Sequence, residues 1–155
     1  MRKTLCFILA CLTIGTSGCS VAPPNEATVH RPEATAIQAV IYNNANDLNH
    51  RDIKGYLQDL DISQDEKESI QKTLQALFET SDLTVKITDF RLVSLEKNKA
   101  VAQVEQVSSS KTFPELNTRT VLKHEMKKVG RQWKIDKTYV IKSETIQGRE
   151  SYESN

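Results

Sequence analysis

The sequence predicts an α+β domain in which helices at the amino end pack on one face of an antiparallel sheet. Two observations support this prediction. Apolar residues recur at helical spacing from about Ala34 to Phe78, and from Leu83 onward every second residue is apolar, which is the period of a half-buried strand. Helices that precede a run of hairpins are typical of α+β domains, and 155 residues suit a single domain.

Three helices are predicted before the sheet. The first covers about Ala34 to Asn49 and the short second covers about 52–60. The apolar stripe of the first helix consists of Ile37, Val40, Ile41, Ala45 and Leu48. The third helix begins after Ser63, because Ser63 followed three positions later by Glu66 fits a capping box. It is expected to end at 80–82.

Four long strands are predicted after the helices. The parity of apolar residues switches between Ile87 and Phe90, which predicts a β-bulge near Thr88-Asp89 that bends the first strand. The connections between strands are expected at 97–98, 108–118 and 130–131, with a flexible loop at Ser108-Ser109-Ser110. The last strand is expected to bury one apolar row, which consists of Trp133, Ile135, Tyr139 and Ile141.

Residues 1–18 are predicted to be a signal peptide. The uncharged apolar run at 5–14 follows a basic start and would span about 15 Å as a helix, half of a bilayer core of about 30 Å. Residues Thr16-Ser17-Gly18-Cys19 resemble the bacterial lipobox, in which the cysteine receives a diacylglyceryl group before cleavage on its amino side. The resemblance implies lipidation of Cys19, although the lipobox usually has leucine where this chain has Thr16.

The alternative is an ordinary secreted protein cleaved after Ala22, since Ser20-Val21-Ala22 resembles a small-x-small cleavage site. Pro23 would then directly follow the cut, where proline is poorly tolerated. Lipidation also explains the cysteine content, because Cys19 is the only cysteine after the signal peptide and a thioether leaves it no free thiol. The sequence therefore favours a lipoprotein anchored by two or more acyl chains, palmitate among them.

The mature chain is divided into three predicted parts. A lipid-anchored tether at 19–33 contains three prolines, the folded domain covers 34–146, and 147–155 is a polar tail. The expected location is the outer face of a bacterial membrane, the outer membrane where the host has one, because Ser20 is not the aspartate associated with inner-membrane retention. Removing the signal peptide changes the net charge from +1 to −1, since 19 basic residues then face 20 acidic ones, so no nucleic-acid partner is expected.

Three features of the domain resemble the NTF2-like superfamily, also called SnoaL-like. The segment 42–60 is similar to that family's first helix, its Asn/Asp-rich break and its short second helix. The bent strand at Thr88-Asp89 fits its curved sheet, and 130–135 is similar to its final Gly-x-x-Trp hairpin. The resemblance covers roughly 34–146 and implies a cone, a curved sheet wrapped around helices with an open pocket between them. Its members include isomerases, dehydratases, ligand binders and non-catalytic assembly modules.

No catalytic or metal-binding pattern is found in the sequence, and no cofactor is expected. The candidate pocket residues are Tyr42, Tyr56, His124 and Trp133. His124 has the parity of the buried face, where it is either a pocket acid/base or, as we favour, a core histidine bonded to a neighbour. A ketosteroid-isomerase-like mechanism would use the tyrosines as donors but needs a carboxylate base, and Asp89 is already explained by the bulge.

We therefore predict a non-enzymatic binding or assembly module that docks an envelope protein or a small apolar ligand. The alternative is a small SnoaL-like enzyme, of isomerase or dehydratase type, that acts on a hydrophobic substrate. The pocket discriminates between them, because an enzyme requires a buried carboxylate or histidine paired with a donor.

Overall fold

The computed structural model describes residues 32–146, and the predicted signal peptide, lipidated cysteine and polar tail lie outside these residues. Three helices are followed by four strands: α1 (Pro32–His50), α2 (Ile53–Gln58), α3 (Gln64–Thr80), β1 (Thr84–Leu95), β2 (Lys99–Ser109), β3 (Thr118–Val129) and β4 (Gln132–Thr145). The strands form one antiparallel sheet in the order β1-β2-β3-β4. The predicted α+β architecture is confirmed.

The helix boundaries follow local signals in the sequence. Helix α1 begins at Pro32, two residues before the expected start of the domain, and proline suits a first helical position because its missing N–H would have no partner there. The capping box of α3 is confirmed: the Ser63 side chain accepts from the Glu66 N–H, and the Glu66 carboxylate accepts from the Ser63 N–H at 2.8 Å. None of the helices within 32–146 is long and apolar enough to cross a membrane.

Helix α1 ends against the edge of the sheet. The Asn49 side chain forms two hydrogen bonds with the backbone of Val85 at the start of β1, accepting from its N–H at 2.7 Å and donating to its carbonyl at 2.8 Å. Arg51 follows with a φ of 59°, and its guanidinium donates to the Phe78 carbonyl at 2.8 Å. These bonds hold the end of α1 on both β1 and the last turn of α3.

The bulges that curve the sheet all lie in its two edge strands. In β1 the pairing skips Thr88, as predicted, and it also skips Val93. In β4 it skips Asp136 and Ile141, which the sequence analysis did not anticipate. The β2–β3 pairing between them has no irregularity. Bulges increase local twist and bend a strand, so the edge strands are bent while the central β2–β3 pairing stays regular.

The bulge at Asp136 corrects the prediction for the last strand. Beyond it, Thr138 and Val140 pair with the buried His124 and Leu122 and share their face of the sheet. The expected buried row is therefore wrong after Ile135: Trp133 and Ile135 are buried, whereas Tyr139 and Ile141 are exposed.

The core lies where α1 crosses the half of the sheet nearest the β3–β4 hairpin. Its buried members are Ile37, Ile41, Leu60, Ala100, Ala102, Val104, Met126, Trp133 and Ile135. Trp133 is 4% exposed, as predicted, and its Nε1 donates to the Glu33 carboxylate at the start of α1 at 2.5 Å. At the other half of the sheet the inward positions become polar, with Thr120 hydrogen-bonded to Ser143 at 3.2 Å.

The connection between β2 and β3 is an ordered turn rather than the expected loop of three serines. Ser108 and Ser109 are the last residues of β2, and Ser110 is buried. The Asp82 carboxylate accepts hydrogen bonds from the Ser110 hydroxyl at 2.6 Å and from the N–H groups of Lys111 and Thr112. These bonds, the Ser110 hydroxyl first, lower the pKa of Asp82.

Candidate functional site

A cavity of about 180 Å³ lies between α1, α2 and the inner face of the sheet. Most of its wall is apolar. The polar residues of the wall are Asn44, Tyr56, Gln106, His124 and Thr138, and the apolar ones are Ile41, Ala45, Leu48, Leu60, Val85, Ile87, Leu122 and Ile135. No aspartate, glutamate, lysine or arginine of the described chain lines it.

His124 lies near the middle of β3, between Ala102 on β2 and Thr138 on β4. It lies on the inner face of the sheet, as do the buried Leu122 and Met126 two positions before and after it. The ring Nδ1 is 2.9 Å from the Thr138 hydroxyl, and within 32–146 no carboxylate is bonded to the ring. Burial lowers the pKa of His124 to about 4, so the imidazole is neutral near pH 7.

The depressed pKa predicts a defined loss of stability in acid. An unfolded histidine titrates near 6.5 whereas folded His124 titrates near 4, so unfolding takes up a proton between these values and stability falls as the pH falls. Relative to His124→Gln, which has no such proton, the wild type should lose about 3 kcal/mol across this window. Urea denaturation of both proteins at a series of pH values measures the difference.

Comparing the wild type with His124→Gln also removes the contribution of Asp59, which changes stability with pH in the opposite direction. Burial and the charge of Asp47 raise the pKa of Asp59 to about 6, so this carboxyl stabilises the folded state as the pH falls through that value. Both proteins contain Asp59, and its contribution cancels in the difference. A difference that does not change between pH 6.5 and 4 would contradict the neutral, buried state of His124.

The cavity includes two of the four candidate pocket residues. Tyr56 lies on α2, where its carbonyl accepts from the Asn44 side chain at 2.9 Å, and burial raises the pKa of its phenol. Tyr56 and His124 line the same cavity. Tyr42 is 41% exposed and Trp133 belongs to the core, so neither is part of the cavity wall.

Asp59 is a perturbed carboxylate that the sequence analysis missed. It follows α2, and its Oδ2 is buried without a hydrogen-bond partner among the described residues. It lies outside the cavity, in a surface groove beside Trp133 and Lys134. Asp61, two positions later, is instead bonded to Lys127 at 2.9 Å. Nothing in the local sequence distinguishes these two aspartates, because their difference arises from which element packs beside them.

Among the described residues, neither a carboxylate nor a group of metal ligands is found at the cavity. His124 has a hydroxyl rather than a carboxylate beside it, and the perturbed Asp59 does not line the cavity. Within 32–146 no three histidine, cysteine or acidic side chains are grouped to hold a metal ion. The cavity can therefore enclose a small molecule and offer it neutral hydrogen-bonding groups.

Solved structures share this architecture. An NTF2-like protein of unknown function from Pseudomonas putida KT2440 is 12% identical with a TM-score of 0.56, covering 68% of this chain and 83% of that protein. The β subunit of benzoate 1,2-dioxygenase from Burkholderia mallei is 12% identical with a TM-score of 0.54, covering 71% and 89%. Bd1075 from Bdellovibrio bacteriovorus is 13% identical with a TM-score of 0.58, and the match covers 69% of this chain but only 39% of Bd1075.

These similarities define the class of the protein: it has the NTF2-like α+β cone, a fold that occurs in enzymes and in non-enzymes. No curated protein matches the sequence. The family model described as "Anti-sigma-I factor RsgI9, C-terminal domain" matches residues 39–146. The chain belongs to this family.

Proposed function

We propose that the chain is a membrane-anchored envelope lipoprotein whose NTF2-like domain is a non-enzymatic binding module for a small neutral ligand. The main support is the cavity wall, which is mostly apolar, contains neutral hydrogen-bonding groups and has no charged side chain among the described residues. A charged ligand would lose its hydration there without gaining a partner of opposite charge.

The state of His124 argues against the enzyme alternative. A general base works best when its pKa lies near the working pH, and the pKa of His124 is about 4. A carboxylate that orients the ring would raise this value, but the bonded neighbour is the Thr138 hydroxyl. The residue is therefore better suited to hydrogen bonding with a ligand than to proton transfer.

The volume of the cavity indicates the size of the ligand. An engineered apolar cavity of about 150 Å³ binds benzene, so a cavity of about 180 Å³ suits a molecule of one ring with a small polar substituent. The ring would contact Ile41, Leu122 and Ile135, and the substituent would bond to His124 or Gln106.

Binding of phenol, a neutral ring with one hydroxyl, tests the cavity. Saturation with phenol at about 100 times its Kd should stabilise the protein by about 2.7 kcal/mol, measured as a rise in Tm. Ala45→Leu places a larger side chain in the cavity wall and should abolish the rise. Ala39→Leu is the matched control, because it makes the same change at an exposed position of α1. An equal rise in both variants, or none in the wild type, would exclude the cavity as the site.

The proposed anchor rests on the sequence of the amino end. The short apolar run, the lipobox-like residues 16–19 and the single cysteine of the mature chain support lipidation of Cys19. The tether then joins the lipid to α1 through the 12 residues between Cys19 and Pro32. The domain would thus be held close to the membrane surface.

A further inference from the structure

Charge is unevenly divided between the helices α2 and α3, which are acidic, and the sheet, which is basic. Residues 52–82, which contain α2 and α3, have eight acidic and three basic residues, a net charge of −5. Residues 83–146, which contain the sheet, have seven acidic and thirteen basic residues, a net charge of +6. The whole described chain is close to neutral, so the separation is concealed in the overall composition.

The basic residues are concentrated where both β-hairpins turn. We call residues 96–99 and 127–134 the hairpin end; the Lys128 N–H donates to the Asn98 carbonyl at 2.9 Å and joins the two turns. Its basic members are Lys97, Lys99, Lys127, Lys128, Arg131 and Lys134. Lys99, Lys127 and Lys134 lie side by side across three strands. Five acidic residues oppose these six basic ones: Glu96 in the first turn, Glu33 and Asp61 in ion pairs, Asp59 beside Lys134, and Asp136 near Lys127.

Half of these basic side chains already have partners. Lys127 is paired with Asp61 at 2.9 Å and Lys128 with Glu33 at 2.6 Å, and Lys134 donates to the Gln58 carbonyl at 2.9 Å. Lys97, Lys99 and Arg131 are exposed and form no salt bridge with the residues at 32–146. The hairpin end therefore has three exposed basic side chains that are available to a binding partner.

The tether enters the domain at this same end. The Glu33 carboxylate, one residue into α1, accepts from Lys128 at 2.6 Å and from Trp133 at 2.5 Å. Twelve residues separate Cys19 from Pro32, and the thirteen Cα-to-Cα steps between them span at most about 45 Å. A lipid on Cys19 would therefore keep the hairpin end within reach of the headgroups.

We propose that the hairpin end docks on anionic phospholipid headgroups of the membrane that holds the lipid anchor. Lys97, Lys99 and Arg131 contact the phosphates, and Val129, which is 41% exposed beside the Gly130 turn, meets the surface between them. The last turn of α3, which lies with Arg51 and the start of β1 at the opposite end of the sheet, then faces away from the membrane. This inference rests on the proposed lipid anchor and adds an orientation to it.

A fluorescent probe at the turn tests the orientation. The lipidated full chain with Val129→Cys has one free thiol in its mature form, since a thioether occupies Cys19, and the dye NBD is attached there. On vesicles of phosphatidylglycerol and phosphatidylcholine the NBD emission should shift to the blue. In about 1 M salt, where the Debye length is about 3 Å, the emission should return to its water-exposed wavelength. Glu79→Cys at the end of α3 is the control and should keep its water-exposed emission on the same vesicles.

Charge reversal tests the electrostatic origin of the shift. In the Val129→Cys protein, Lys97→Glu, Lys99→Glu and Arg131→Glu together should abolish the shift, since each basic residue near an anionic surface favours binding about fivefold. Lys54→Glu, Lys67→Glu and Lys72→Glu make the same change of charge on α2 and α3 and should preserve it.

Flotation of the vesicles separates failure of the docking from failure of the anchor. Protein that floats with anionic vesicles while its probe stays in water overturns the docking and leaves the anchor intact. Protein that does not float overturns both. An equal shift on pure phosphatidylcholine, or a shift that requires added envelope proteins, also overturns recognition of anionic lipid.

Discussion

Replacing Trp133 with alanine is expected to lower the free energy of unfolding by about 3–5 kcal/mol. The ring is 4% exposed and lies in the core where α1 crosses the β3–β4 hairpin. The substitution removes this buried area, leaves a cavity in the core, and deprives the Glu33 carboxylate of the Trp133 Nε1–H. Urea denaturation followed by far-ultraviolet circular dichroism measures the loss.

Trp133→Phe distinguishes the apolar contribution from the hydrogen bond. Phenylalanine retains most of the buried ring but has no N–H for Glu33, so the expected loss is smaller than that of Trp133→Ala. A loss below about 1 kcal/mol for Trp133→Ala would show that the ring is not a core residue. Native fluorescence offers a second check, because Trp133 is the only tryptophan and should emit as a buried one.

Replacing Cys19 with alanine is expected to release the protein from the membrane fraction and to leave the folded domain unchanged. Each buried methylene of an acyl chain contributes about 0.8 kcal/mol to membrane binding, and two or more chains give stable attachment. Without the sulfur no chain can be added at this position. Fractionation, together with the intact mass of the membrane-extracted protein, measures the effect.

Cys11→Ala is the matched control for the anchor. Cys11 lies in the predicted signal peptide, so the same substitution there should leave membrane attachment intact. A mature amino terminus at Pro23 with no added lipid mass would contradict lipidation and would favour ordinary secretion.

The sequence predicted those elements whose signal is local. The Ser63–Glu66 capping box needs only four residues, and both of its bonds are present. The bulge at Thr88 was predictable because the apolar residues before and after it have opposite parity along the strand. In the structure Ile87 and Phe90, on either side of the bulge, both pack against the core. The bulge at Asp136 gave no such signal, since Tyr139, Val140 and Ile141 are all apolar and fit either parity.

The site was predictable only in part because a cavity depends on how separate elements pack. His124 was assigned to the inner face from its apolar neighbours Leu122 and Met126, and it lines the cavity. Tyr42 was proposed beside it, but it follows the buried Ile41 by one position, about 100° around α1, and is directed to solvent. The perturbation of Asp59 depends on burial and on Asp47 twelve positions earlier, which no local pattern reveals.

The bulges in β1 and β4 also affect how copies of the protein behave beside one another. A regular edge strand exposes a row of unpaired N–H and C=O groups onto which a strand from another molecule can add. Here each free edge is interrupted twice, at Thr88 and Val93 on one side and at Asp136 and Ile141 on the other. The proposed lipid anchor would concentrate the protein on a two-dimensional surface, where it would meet its own copies often, and these interruptions would protect it from edge-to-edge aggregation.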